Sequence, residues 1–356
     1  MRTQLVLIPL LLTVGLTATA QSYKKLHARS IVIDTHNDFP STAIEKSVRF
    51  EQDLTGITHS DLARMKKGGV DIQIFSIFCN EQFGNGTAFN HAMREMDSVD
   101  ATIARNPNRM MAVHAPDALN AAVASGKLGC MMGVEGGHMI EDDLVNLEKL
   151  YNRGARYMTL TWNNSTSWAS SAADERSKTD LGRPYGLTTF GEKVVRKMNE
   201  LGMIVDISHV GEQTFYDAVR VSTKPVIASH SNTYTLCPVP RNMTDDQIRA
   251  LGKNGGVIHI NFYSAFVDSS FQRTGIQPSL SQLIDHVDHI VGLIGVDHVG
   301  LGSDFDGISS APKELNDVTQ MPLITEELLK RGYSKKDIRK ILGENFIRVF
   351  KENQQR

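Results

Sequence analysis

Residues 31–40, IVIDTHNDFP, join an apolar, β-branched run to three ionisable side chains at alternate positions. The β-branched start favours a buried strand. Because successive side chains of a strand point to opposite faces, Asp34, His36 and Asp38 share one face. Ionisable groups beside a buried strand are costly unless they are paired or bind a metal ion. The stretch therefore predicts a strand that carries a functional site at its carboxyl end.

Further runs of the same kind follow, and they alternate with longer segments of helical periodicity, several of which end at glycine. Buried strands alternating with helices indicate a parallel sheet, and eight such units favour a (β/α)8 TIM barrel. A doubly wound open sheet is the alternative, although no strand candidate precedes a G-x-G-x-x-G loop. The strand candidates are residues 30–38, 70–78, 129–137, 156–164, 203–210, 225–232, 256–263 and 298–307.

The N-terminus has the pattern of an export signal. Arg2 precedes an apolar segment, residues 5–16, which gives way to small residues before Gln21. This order is typical of a secretory signal peptide, and the segment is shorter than the roughly 20 residues of a membrane span. We predict a signal peptide at residues 1–20, one domain at residues 21–356, and a secreted or periplasmic protein with no stable membrane insertion after cleavage. An uncleaved anchor is the alternative.

The overall composition excludes several classes of protein. The chain has 356 residues, of which 41% are hydrophobic and 22% charged, as in ordinary globular proteins. A formal net charge of -2 does not suggest a nucleic-acid-binding surface, so a small-molecule partner is expected. Three cysteines, an odd number, argue against a disulfide scaffold. The sequence leaves the oligomeric state open, with a homodimer as one option.

Residue types that bind metals recur at the ends of the strand candidates. In a barrel the carboxyl ends of the strands meet at one mouth, where active sites lie. Three imidazoles and two carboxylates are too many for one tetrahedral zinc with an open position, but they suit two divalent ions. Glu135 is the natural bridge, since a carboxylate has two oxygens, and two such ions can hold a hydroxide between them. The predicted ligands are His36, Asp38, Glu135, His209 and His230.

Each of these residues, taken alone, has an ordinary explanation as a surface pair, a helix cap or a buried histidine. Their coincidence at one mouth favours the metal site. Asp304 ends the last strand candidate, and we predict that it acts as general base and then general acid. Asp306 competes for that role, although its place beside Gly307 favours a turn. Asp34 lies two residues deeper than His36 and is predicted to be a supporting acid.

A set of motifs occurs along the chain in a fixed order. They are DTHND (34–38), GVEGGH (133–138), TLTWNNSTSWA (159–169), DISHV (206–210), ASHSN (228–232), PRNMTDDQIRAL (240–251), GLGSDFDG (300–307) and GENFIRVF (343–350). From about residue 30 to about residue 350, the chain resembles the membrane (renal) dipeptidase family. That resemblance implies a binuclear-zinc, amidohydrolase-like barrel enzyme that cleaves dipeptides and accepts a D-residue at their C-terminal position.

The resemblance also implies how the metal ligands are divided. His36 and Asp38 would bind one zinc, His209 and His230 would bind the other, and Glu135 would bridge both. Asp304 falls on the family's catalytic acid and base. The cofactor that this implies is two zinc ions per chain.

The resemblance further implies substrate-binding residues and shows one departure. Arg241 falls on the family's carboxylate-binding arginine, and a guanidinium can bind a carboxylate through two hydrogen bonds. The family pattern TLTH reads TLTW here, so Trp162 replaces a histidine that helps to hold the substrate carbonyl. A tryptophan offers one N–H donor and no acid or base. Asn163 or Asn164 can supply a replacement donor, and we predict that Trp162 and Asn163 contact the substrate.

These observations predict a zinc-dependent dipeptidase in which a hydroxide bridging two metal ions attacks the peptide carbonyl. Two alternatives stay open. The first is another amidohydrolase-type reaction, on a β-lactam, a lactone or an N-acyl amino acid, and Trp162 favours it. The second is a non-catalytic zinc- or peptide-binding protein. Asp304 argues against the second, because binding alone needs no proton carrier.

Overall fold

The computed structural model of the chain describes residues 23–84, 86–178 and 180–355. The predicted signal peptide, residues 1–20, lies outside these ranges and stays a prediction. Within them, nine strands form one sheet. The strands are β1 (Ile33–Asn37), β2 (Ile72–Phe78), β3 (Met110–Ala112), β4 (Leu128–Glu135), β5 (Ala155–Thr159), β6 (Ile204–Asp206), β7 (Ile227–Ala228), β8 (Val257–Ile260) and β9 (Val299–Leu301).

All strand pairings in the sheet are parallel, and the strands follow the order β1-β2-β4-β5-β6-β7-β8-β9. Six of these eight strands lie within the predicted runs, and β4 and β5 each begin one residue earlier than predicted. An isolated parallel bridge joins Asn37 of β1 to Phe305 beyond β9, so the two edges of the sheet meet. The structure therefore confirms the predicted (β/α)8 TIM barrel, which is nearly closed.

The sequence did not predict β3. It pairs with the first residues of β4, before β5 joins β4 at Met132. It is only three residues long and has no polar end that would mark it as a strand. Because β3 lies at the opposite end of β4 from Glu135, it contributes nothing to the barrel mouth.

The helices occupy the segments between the strands, as the helical periodicity of those segments predicts. Val194, Val195 and Met198 of the helix before β6 belong to the same hydrophobic cluster as Val205 of β6, as expected for helices packed on the outside of a barrel. None of the helices in the described ranges has the length and apolar composition that a membrane crossing requires.

The α-helices are α1 (Phe39–Lys46), α2 (Leu62–Gly68), α3 (Ala88–Arg105), α4 (Pro116–Ser125), α5 (Leu144–Arg153), α6 (Ala172–Ser177), α7 (Thr189–Leu201), α8 (Glu212–Val221), α9 (Asp245–Asn254), α10 (Ser264–Val267), α11 (Phe271–Thr274), α12 (Leu280–Ile294), α13 (Pro322–Lys330), α14 (Lys335–Arg339) and α15 (Asn345–Gln354). Short 3₁₀ turns occur at Gly137–Ile140, Val296–His298 and Val318–Gln320, and a π turn at Lys340–Glu344 precedes α15.

Asp34 lies inside the barrel and ties β1 to the segment after β9. Its carboxylate accepts hydrogen bonds from the Ser303 backbone N–H at 2.7 Å and from Ser303 Oγ at 2.6 Å. Two backbone hydrogen bonds, from Asp304 N to His36 O and from Asp38 N to Phe305 O, also join these two segments. Burial raises the pKa of Asp34 to about 6, although the Ser303 hydrogen bonds oppose the rise. These contacts agree with the supporting role predicted for Asp34.

Replacement of Ser303 by alanine is expected to lower the free energy of unfolding by about 1–3 kcal/mol, because a buried carboxylate loses a hydrogen-bond donor. Urea unfolding followed by circular dichroism measures the loss. The exposed Ser269→Ala is a matched control, expected to change stability by less than about 0.5 kcal/mol. Equal unfolding midpoints for the two variants would contradict the contribution of Asp34 to barrel closure.

Candidate metal centre and substrate pocket

The predicted metal ligands come together at the carboxyl ends of the barrel strands. They come from four different strands or the loops directly after them. All of them are buried. The strand-end argument therefore predicts their proximity correctly, although they are spread over nearly 200 positions of the sequence. The residues are His36 in β1, Asp38 after it, Glu135 at the end of β4, His209 after β6 and His230 after β7.

Glu135 lies at the centre of this group, and its two oxygens face different partners. Oε2 lies 3.3 Å from Nε2 of His36. Oε1 lies 2.9 Å from Nε2 of His209 and 3.5 Å from Nε2 of His230. Asp38 Oδ2 lies 3.5 Å from Nε2 of His36. One carboxylate therefore stands between two pairs of donor groups, as a bridging ligand would.

Hydrogen bonds at the far side of two imidazoles fix their tautomers. Nδ1 of His209 lies 3.0 Å from Oδ1 of Asn163, an acceptor. Nδ1 of His230 lies 2.8 Å from Oγ of Ser229, whose own proton goes to Asp206 at 2.6 Å. Both Nδ1 atoms must therefore carry the proton. The two bare Nε2 atoms lie 3.0 Å apart, an arrangement that is repulsive unless they share a cation.

His36 is held in the same way by Tyr157. Its Nδ1 lies 2.8 Å from the phenol oxygen. The phenol proton is directed to the Thr35 carbonyl oxygen at 3.1 Å. Among the described residues, Nε2 of His36 has no hydrogen-bond partner although it is fully buried. A buried nitrogen that faces two carboxylates is placed to share a bound cation with them.

The electrostatics of the site favour metal binding. Burial and the charge of Arg241 lower the pKa of His209 to about 4. Burial and the charge of His36 hold the pKa of His230 well below its usual range. Both rings are therefore neutral near pH 7, which is the form that binds metals. Around His36 burial opposes the charged form, but the phenol and carboxylates nearby raise its pKa well above the usual value. This side of the site attracts positive charge.

Two overlapping sets of donor atoms fit divalent cations. In each set, three donor atoms lie within 4.8 Å of one another, and one set brings in Asp304. Imidazole nitrogens with carboxylate oxygens suit zinc and similar divalent ions. The residues present therefore fit a two-metal centre. The sets are His36 with Glu135 and His230, and His36 with Asp38 and Asp304.

Asp304 projects into the same mouth from a strained backbone. Its φ of 62° is left-handed, a conformation that costs energy in a residue other than glycine and is often found at functional sites. Asn261 Nδ2 donates to its Oδ2 at 2.8 Å. Burial and the charge of Asp38 raise the pKa of Asp304 well above its usual value. Asp304 is therefore suited to take up and release a proton.

Both carboxylate oxygens of Asp306, the competing candidate, already accept hydrogen bonds from the protein. Its Oδ1 accepts from the His59 backbone N–H at 2.5 Å, and its Oδ2 accepts from Ser60 Oγ at 2.5 Å. The neighbouring Gly307 is essential for space, because a Cβ there would lie 2.2 Å from Asp38 Oδ2. Asp306 therefore holds the loop that carries Asp304 against the loop after α1.

A cavity of about 420 Å³ opens over the metal ligands. Trp162 forms part of its wall, packs edge-on against Phe78 at 4.9 Å between ring centroids, and lies 6.4 Å from the ring of His209. Asn163 also lines the cavity, but its carbonyl oxygen faces His209. Only the amide nitrogen of Asn163 is left for a substrate.

Arg241 lines the cavity on the side of His230. Its guanidinium donates to the His230 carbonyl oxygen at 3.1 Å and to Ser231 Oγ at 3.4 Å, and lies 5.4 Å from the centroid of Phe266. No carboxylate in the described part of the chain forms an ion pair with it. Burial lowers its pKa to about 10, so it stays cationic at neutral pH. Arg241 can therefore receive an anionic group from a ligand.

The sequence reading missed the residues that orient the imidazoles. They are Tyr157, Ser229 and Asp206. Asn163, which was predicted to contact the substrate, also accepts a hydrogen bond from His209. A weak signal existed for two of them, since Ser229 adjoins His230 and Asp206 begins the DISHV motif. Tyr157 gave no local signal, because it lies 121 positions from the histidine that it contacts.

Comparisons with known proteins show to which family the chain belongs. The model of the membrane dipeptidase family, peptidase family M19, matches residues 20–356. An uncharacterised dipeptidase of Schizosaccharomyces pombe is 35% identical over 355 aligned positions, covering 94% of this chain and 83% of that protein.

Two solved structures are similar as well. The metallopeptidase of family M19 called dipeptidase AC is 26% identical, with a TM-score of 0.83 over 91% of this chain and 98% of that chain. A metallopeptidase from Rhodobacter sphaeroides, bound to a phosphinate mimic of the dipeptide L-Ala-D-Ala, is 26% identical, with a TM-score of 0.81 over 91% of this chain and 99% of that chain. By its sequence and its barrel, this chain belongs to the membrane dipeptidase family, peptidase family M19.

Proposed function

We propose that this protein is a zinc-dependent dipeptidase with two zinc ions per chain. The observation that carries the proposal is the position of Glu135, whose two oxygens face His36 on one side and His209 with His230 on the other. Family membership supports dipeptide hydrolysis by a metallopeptidase. When bound, the two ions would polarise the substrate carbonyl and make a water molecule nucleophilic near neutral pH.

The residues around the metal centre have separate roles in this proposal. Arg241 binds the free carboxylate of the substrate and so restricts it to short peptides. Asp304 takes the proton of the attacking water as its oxygen bonds to the carbonyl carbon. Asp304 then delivers that proton to the amine nitrogen as the C–N bond breaks. Trp162 walls the pocket beside the reacting carbonyl.

A D-residue at the C-terminal position is part of the proposal. The metallopeptidase from Rhodobacter sphaeroides binds a mimic of L-Ala-D-Ala, which supports such tolerance here. Export by the N-terminal segment and assembly as a homodimer are further expectations, which cell fractionation and sedimentation would test.

A panel of dipeptides that includes L,L and L,D isomers tests the function, with amino-acid release as the measurement. We expect release from at least some members and none from the corresponding N-acetylated, C-amidated peptides. If the protein, with both metal sites filled, releases no amino acid from a broad panel of dipeptides, the proposal is wrong.

Trp162 favours a second candidate, hydrolysis of a β-lactam, a lactone or an N-acyl amino acid. Tryptophan places an aromatic wall and one N–H donor beside the metal ligands, and such a pocket can accept a different acyl group. Comparison of kcat/KM on dipeptides with kcat/KM on these substrates discriminates the two. A third candidate, a non-catalytic binding protein, predicts tight zinc and peptide binding without turnover of any substrate.

Replacement of Arg241 by methionine is expected to lower kcat/KM on dipeptides by about 30-fold or more, because the substrate carboxylate loses its charge partner. Most of the change should appear in KM. Dipeptide amides, which lack the carboxylate, should lose far less. Arg183→Met is the control, since all hydrogen bonds of the Arg183 side chain within the described ranges go to backbone carbonyls. Equal losses for dipeptides and their amides would exclude carboxylate binding by Arg241.

A further inference from the structure

Tyr157 lies wholly inside the barrel, between β4 and β6, and its hydroxyl reaches the imidazole of His36. We propose that Tyr157 is a positioning residue that fixes the tautomer of His36 and thereby prepares it to bind metal. The inference rests on the proposed metallopeptidase function, and it assigns a role to a residue that no strand-end pattern identifies.

The hydrogen-bond geometry determines which atom carries the proton. A phenol has a single proton to donate. The Thr35 carbonyl oxygen, at 3.1 Å, can only accept, so it takes that proton. The phenol oxygen must then accept from Nδ1 of His36 at 2.8 Å. In the neutral imidazole, Nε2 of His36 is then the nitrogen without a proton, and it faces Asp38 at 3.5 Å and Glu135 at 3.3 Å.

The barrel is built to hold the phenol ring in this place. Gly133 of β4 pairs with Tyr157 across the sheet, and a Cβ on Gly133 would lie 2.0 Å from Cζ of the ring. The ring is nearly parallel to that of His36, with 21° between their planes. The phenol oxygen that accepts from His36 is therefore held in a fixed position.

Loss of the phenol oxygen would favour the wrong tautomer. Without an acceptor at Nδ1, the imidazole proton is better placed on Nε2, where two carboxylates can accept it. A metal ion would then have to displace that proton before it could bind. His209 and His230 keep their own acceptors, Asn163 and Ser229, so the defect should be confined to the metal site that contains His36.

Tyr157→Phe tests this, because it removes one oxygen and keeps the ring. Zinc affinity is measured by chelator competition on the metal-free protein. We expect one of the two sites to bind zinc about 10–100-fold more weakly and the other to be unchanged. Tyr333→Phe is the matched control, since it removes a phenol hydrogen bonded to Asp288 at 2.7 Å and outside the barrel mouth. That variant should bind zinc like the wild type.

Unchanged zinc affinity at both sites of a folded Tyr157→Phe would overturn the inference. A second measurement uses the zinc-loaded wild-type protein with nitrogen-15-labelled histidine. We expect the NMR signal of His36 to show the proton on Nδ1, and a proton on Nε2 would also overturn it. Neither measurement depends on turnover. A protein that binds zinc as expected but hydrolyses no dipeptide would therefore refute the proposed function and leave the inference about Tyr157 standing.

Discussion

Removal of the metal by a chelator is expected to abolish dipeptide hydrolysis, and two equivalents of zinc per chain are expected to restore it. The five candidate ligands supply three imidazoles and two carboxylates, which suit bound divalent ions. A bound divalent ion lowers the pKa of water towards neutrality, and the candidate ligands alone do not supply that effect. When the metal-free protein is titrated with zinc, the rate of amino-acid release should rise and then level off at two equivalents per chain.

Glu135→Gln sharpens this test, because an amide offers one acceptor oxygen where the carboxylate offers two. We expect the variant to lose tight binding at both sites together. Glu95→Gln is the matched control. Glu95 is also fully buried, but its carboxylate accepts from Ser41 Oγ and the Phe78 backbone N–H. A Glu135→Gln protein that still binds two zinc ions tightly would exclude Glu135 as the bridge.

The fold could be predicted from the sequence because fully buried strands appear as short, nearly continuous apolar runs. β2, IQIFSIF, is apolar at five of seven positions and buried at all but its last. Such runs recur with helices between them, and that order leaves few topologies. β3 escaped detection for the converse reason. Its three residues, MMA, pair only with the start of β4, and no period can be measured over so short a run.

The proximity of the candidate ligands could be predicted because a parallel barrel brings its strand ends to one mouth. The residues that orient the ligands were not readable in that way. The contacts of His36 with Tyr157 and of His209 with Asn163 join positions 121 and 46 apart. Nothing in the local pattern of either segment records such a contact. Side-chain direction inside the barrel decides it, and that is set by the packed structure.

Asp304→Asn is expected to keep both zinc ions and to lower kcat by about 10²–10⁴-fold, the contribution usual for a general acid and base. The substitution preserves shape, and an asparagine oxygen can still accept the hydrogen bond from Asn261. What it removes is the group that carries the proton from the water to the departing amine. The loss should therefore fall on kcat, with KM and zinc content little changed.

Asp306→Asn separates proton transfer from support of the loop. Both carboxylate oxygens of Asp306 accept hydrogen bonds, from the His59 backbone and the Ser60 hydroxyl, so its replacement should cost stability. The amide nitrogen must receive a proton from Asp304 before it can leave as an amine, whereas an activated ester releases a stable anion that needs no proton. Asp304→Asn should therefore recover much of its rate on an ester analogue, and Asp306→Asn should show no such selectivity. Full dipeptidase activity in Asp304→Asn would show that another group carries the proton.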